Sequence, residues 1–254
     1  MRHAAAFLII TVSACLALTL PPFFFECSLV DRVAVSARVG NPVALVALGM
    51  LERVAEGRVA GLSPEVEVQV GLQPGQLHKP EFKDEGVRSH ALRRIGEVDL
   101  PEALAYLQNL KKGDIQPDVS GRMWSSAQIA LRQGQVNRIP DETGKISFLE
   151  GVTSDRASAA AGWAVQELCN RGSNRSLGFI SGSIRRRDST PRGLVDVSFC
   201  EAPMAIISRD PDRSRALGSF LSVYSGETDS QVPLKVALRI ERVQIQRLLP
   251  QRPK

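Results

Sequence analysis

Histidine is nearly absent from this chain. Its 254 residues contain three, His3, His78 and His90, far apart in sequence. A histidine-dependent triad or a histidine-rich metal site therefore has almost no residues to use. Cysteine is scarce too, and four in a chain this long do not make a disulfide framework. Cys169 and Cys200 are a candidate pair in an oxidising compartment, or else two buried thiols. Aromatic residues make up only 5% of the chain, and Ala, Val and Leu supply most of its small apolar side chains. Such a core suits closely packed short helices better than a large β-sandwich. Phosphate-binding loops of the G-x-x-x-x-G-K-[ST] or G-x-G-x-x-G type do not occur. Nor does a G-x-S-x-G elbow: in Gly178-Phe179-Ile180-Ser181-Gly182 the serine comes one place late, inside an expected helix, so Ser181 reads as a helix-face residue. The net charge of +5 is too small for a dedicated nucleic-acid binder, and nucleic acid is not an expected partner.

Long apolar runs are limited to one. Arg2 and His3 precede Ala4 to Leu20, interrupted only by Thr11, Ser13 and Thr19, and Pro21-Pro22 close the run. Its length lies between a signal-peptide core and a full membrane span. With Glu26 and Asp31 soon after, the charge bias keeps the N-terminus in the cytoplasm and sends the rest across. Residues 1–25 are thus expected to be a cleaved signal peptide or a retained anchor touching membrane through residues 4–20. Val12-Ser13-Ala14-Cys15 also resembles a bacterial lipobox, which makes Cys15 a candidate lipidation site.

Residues 26–40 read as a tether, and 41–84 as an N-terminal cap region. Asn41 and Pro42 open an expected helix carrying Leu45, Leu48, Leu51 and Val54, stopped by Gly57. Val66, Val68, Val70 and Leu72 then alternate with polar residues and glycine, which is strand periodicity. From residue 85 the helical period takes over. Val87, Ala91, Leu92 and Ile95 fall on one face of a first helix; Leu100, Ala103, Leu104, Leu107 and Leu110 do so on a second. Asp99 with Glu102 is the expected capping box of that second helix, and Pro101 fits its first turn. Further helices are expected from Met123 to about Gly134, after Asp141 with Ile146, Phe148 and Leu149, after Ser154 or Asp155 with Ala157 to Leu168, and after Ser173 with Leu177, Ile180 and Ile184. Residues 193–208 suit either helix or strand, 210–226 a helix, and 230–249 an ambiguous segment read as helical.

Ala91, Ala127, Ala160, Cys200 and Val236, taken as equivalent positions, recur at steps of 36, 33, 40 and 36 residues. The pattern resembles a HEAT-type repeat, an antiparallel helix pair that stacks on its neighbours with a period of roughly 33 to 47 residues in this class. That resemblance implies an all-α fold, a right-handed α-solenoid of about five helix hairpins over residues 85–250, and an irregular N-terminal cap. It also implies a role in holding another protein on an extended helical surface, and the N-terminal run places that role outside the cytoplasm.

Candidate contact residues are few. Arg185, Arg186 and Arg187, with Arg192, cluster at the end of an expected helix, where cations complement the dipole or meet an anionic partner. Trp163 is a candidate anchor and, like Trp124, a candidate packing residue. His90 is expected at the surface. Asp114, Asp118, Asp141 and Glu142 all have turn or capping roles available. No catalytic residue, cofactor or metal ligand is expected. An enzyme-associated subunit, as in bilin lyases with similar repeats, and a structural envelope component are the alternatives.

Overall fold

The computed structural model describes residues 22–58, 64–75, 82–155, 158–188, 203 and 205–212, and the fold is all-α. The helices are α1 (Pro22–Ser36), α2 (Ala44–Ala55), α3 (Pro64–Gln69), α4 (Glu85–Glu97), α5 (Pro101–Asn109), α6 (Arg122–Asn137), α7 (Glu142–Val152), α8 (Ser158–Arg171) and α9 (Asn174–Asp188). A 3-10 turn spans Lys112–Ile115, a short helical run covers 205–209, and no strand occurs among the described residues. The chain divides into two compact units, one up to Gln135 and one from Val136.

In the first unit α4 lies at the centre, and α1, α2 and α5 pack on it. Its expected apolar face is the buried one: Val87, Ala91, Leu92 and Ile95 have no exposed surface. Asp84 caps it, with one carboxylate oxygen accepting from the Gly86 and Val87 N–H groups at 2.7 and 3.3 Å. The capping box expected at Asp99 does not form, because Leu100 occupies the N-cap of α5 and makes no side-chain bond. Proline at the first helical position holds residue 100 extended and leaves Asp99 one place outside.

Two expectations for the N-terminal part are corrected. The stretch 26–40 is no tether: it is helical through Ser36, and Leu29, Val30, Val33 and Ala37 are buried in the core. Burying each of the three larger side chains is worth about 2 kcal/mol, enough to make α1 a structural member. The alternating valines of 64–72 are no strand either. Pro64 opens a six-residue helix with Glu65 and Glu67 in its first turn, and the buried Glu67 carboxylate accepts the Gly75 N–H. Val70 and Leu72, just past that helix, reach the core while Val68 stays exposed. The helix expected over 41–57 is present as α2. It starts at Ala44, with Asn41 Oδ1 accepting from the Val43 N–H at 3.1 Å, and Gly57 follows it at a φ of +75°.

Arg88 ties this unit together. Its side chain is 2% exposed. Nε donates to the Ala55 carbonyl at 3.1 Å, Nη1 to Pro117 and Nη2 to Gln116, both at 3.3 Å. One guanidinium thus ties the end of α2 and the loop before α6 to the first turn of α4. Burial pulls its pKa down and the nearby Glu85 and Asp118 push it up, yet a guanidinium stays charged. Gly96 permits a second close approach, since a Cβ there would lie 2.6 Å from the Ala130 carbonyl oxygen of α6.

The second unit packs α7, α8 and α9 on one another. Asp141 caps α7 as expected, accepting from the Gly144 N–H at 2.6 Å. Ala160, Ala161, Ala164 and Leu168 of α8 and Leu177 and Ile180 of α9 are buried. Small alanines let helix axes come close, which suits this face. Val136, Leu149, Val152, Ile206 and Ile207 complete the core. The helix expected to end near Gly134 continues to Asn137. The expected elements at 210–226 and 230–249 lie outside the described residues, apart from a turn at 210–212.

Candidate partner-binding groove

A recess of about 550 Å³ lies between the C-terminal half of α1 and the end of α4. Ala34, Val35, Val39 and Val98 supply its apolar lining, and Asp31, Arg38, Arg94, Glu97 and Asp99 its charges. The volume is within the range of pockets that hold ligands.

Three of those charges are already committed to each other. Asp31 Oδ1 accepts from His90 Nε2 at 2.6 Å and from Arg94 Nε at 2.7 Å, and Arg94 also bonds Glu97. A carboxylate can only accept, so the imidazole carries its proton on Nε2. Burial alone would raise the Asp31 carboxyl, but the bonds from His90 and Arg94 outweigh it and hold it below its ordinary range. His90, expected at the surface, is therefore a half-buried bridge from α4 to α1. It lies one turn from Arg94 on the same helix, and Asp31 comes from the segment expected to be a tether. Arg38 and Asp99, by contrast, have no partner among the described residues.

The other polar clusters suit packing better than chemistry. Cys27 lies beside the trio, but burial and the carboxylates of Asp31, Asp84 and Glu26 push its thiol up, away from the reactive thiolate. The Tyr106 hydroxyl is buried without a hydrogen-bond partner; burial, with Glu56 and Glu52, pushes its pKa well above the ordinary value, the opposite of what an acid–base tyrosine needs. In the second unit Ser176 donates to Glu150 Oε1 at 2.8 Å, and Arg175 Nε stands 3.6 Å from the other oxygen. Ser176 has no exposed surface, so no substrate reaches its hydroxyl. Ser181 is buried as well and donates to the Leu177 carbonyl at 2.8 Å, as a helix-face serine does. Asp118 receives the Met123 and Trp124 N–H groups at 3.0 Å, and Asp114 belongs to the 3-10 turn, both of them end-capping roles. Among the described residues no three His, Cys, Asp or Glu side chains come together as metal ligands do.

Of the contact residues expected from sequence, Trp163 packs half-buried against the second core, and Trp124 likewise against the first. Arg185, Arg186 and Arg187 fall in the last turns of α9, while Arg192 and Cys15 lie outside the described residues. The groove residues were not among those candidates. Arg94 and Glu97 look from sequence like an ordinary i,i+3 surface pair, and nothing in the order of residues brings Asp31 to them. No family model matches the chain, and no curated protein or solved structure matches it either.

Proposed function

We propose that this chain is a helical-repeat scaffold, exported or held at a membrane through residues 4–20, that binds another protein and performs no catalysis of its own. In the finer form of the proposal its helix pairs belong to a right-handed, HEAT-like α-solenoid of about five hairpins. The spacing supports that form: α4, α6 and α8 begin at Glu85, Arg122 and Ser158, steps of 37 and 36 residues along the chain.

The observation that carries the reading is the groove together with the exposed aliphatic side chains that follow it closely in sequence. Val35 and Val39 line the recess at 55% and 63% exposure, and Leu45 and Val46 follow at the start of α2. Clustered exposed aliphatic side chains mark a surface that another molecule covers. The buried charges Arg88 and Glu150 are engaged in contacts between segments, which suits a holding role. Among the described residues no helix is long and apolar enough to cross a membrane, so the membrane part of the proposal rests on residues 4–20.

The test is chemical cross-linking of the full chain in membranes of its own host, followed by native mass measurement and mapping of the linked peptides. A partner in fixed stoichiometry, linked to peptides of this chain's helices, is the expected result. A chain recovered alone at every cross-linker concentration would end the proposal, and a robust activity that depends on one site would replace it with an enzymatic one.

A further inference from the structure

Resting on that reading, we infer that the α1–α2 corner takes an amphipathic helix of the partner protein, one that lays apolar side chains on Val35 and Val39 and brings a carboxylate to Arg38. Four of the seven exposed large apolar side chains among the described residues, Val35, Val39, Leu45 and Val46, fall within twelve positions around this corner. Arg38 stands between the two valines in sequence and lines the same groove. Its guanidinium has no partner among the described residues, whereas Arg94 already bonds both Asp31 and Glu97. Arg38 is therefore the groove cation available to an incoming anion, and an exposed guanidinium takes a carboxylate in two parallel bonds.

Charge and shape choose the occupant. An anionic bilayer draws on several uncommitted cations, but this lining offers one free cation, Arg38, one free carboxylate, Asp99, and a closed trio. That mixture fits a peptide carrying both signs. A second copy of the chain would set one recess against another and leave both hollow, while the ridge of a helix fills a groove with side chains one turn apart. Asp99 then receives a basic residue of the same helix.

The experiment displays a library of amphipathic helical peptides to the full chain, with apolar anchors one turn apart and the position between them randomised. Selection against the native protein enriches Asp and Glu over Lys and Arg at that position by about tenfold or more, and selection against Arg38→Glu inverts the preference. Val35→Asp removes enrichment altogether. Both side chains are exposed, so thermal unfolding of the variants matches the parent and reports that they fold. No enrichment, or an enrichment that Arg38→Glu leaves unchanged, overturns the inference. So does sedimentation with anionic vesicles that requires Arg38, which assigns the corner to a bilayer, or a concentration-dependent doubling of mass lost in Val35→Asp, which assigns it to a second copy. A cross-linked partner attached elsewhere on the chain would remove this inference and leave the scaffold reading intact; the absence of any partner would remove both.

Discussion

Arg88 of the first unit and Glu150 of the second are both buried charges, and they are held in opposite ways. The first unit holds a cation, Arg88, within a ring of three backbone carbonyls contributed by two separate stretches of chain. The second holds an anion, Glu150, which is 2% exposed and is met by the Ser176 hydroxyl and by an arginine that is itself mostly in solvent. Carbonyls are fixed in place by the helix end and loop that carry them, so the Arg88 arrangement ties distant segments together. Glu150 relies on neighbours from a single adjoining helix, and its charge is screened through Arg175. Removing the first charge should therefore cost far more than removing the second.

Arg88→Met tests this most sharply. It keeps apolar bulk, strips three donors and leaves buried carbonyls unmet, so a loss of about 4 kcal/mol is expected by chemical denaturation. Gly96→Ala comes next: the added methyl meets the Ala130 backbone, and forcing α4 and α6 apart costs about 2 kcal/mol by the same measurement. Glu150→Gln keeps an acceptor for Ser176 and should cost only about 1 kcal/mol; a loss equal to that of Arg88→Met would erase the contrast between the units. Tyr106→Phe removes a buried hydroxyl that has no partner, and a gain of up to about 1 kcal/mol is expected. The smallest effect belongs to Asp31. Its carboxyl is depressed in the folded state, so its contribution is fully present above the unfolded value near pH 4 and is lost as pH falls through the lower folded value. The difference in melting temperature between the native chain and Asp31→Asn should be constant above about pH 5 and shrink below about pH 4.

Much of the helical framework was legible in the residue order. The faces of α4, α8 and α9 follow the 3.6-residue period so regularly that Val87, Ala91, Ala160, Leu168 and Ile180 could be assigned to a core before any contact was known. Asp141 was legible as a cap because capping is local. Three things were not. In 64–72 a run of valines imitated strand alternation, and the deciding signal, Pro64 followed by two glutamates, was weaker than the valines. The segment 26–40 was overshadowed by the apolar run before it, although Leu29, Val30 and Val33 carry the same helical spacing. The groove depends on Asp31 meeting His90 and Arg94 across some sixty positions, and no local rule reports such a meeting.

Because α1 begins at Pro22 and buries Glu26, Leu29 and Val30, it also sets a floor for maturation. Under the proposed export, a peptidase that trims the chain has to stop at or before the first turns of this helix, since a cut further in would remove side chains that pack on α4. The N-terminal peptide of the mature protein should consequently still contain Leu29, whichever fate the preceding apolar residues meet.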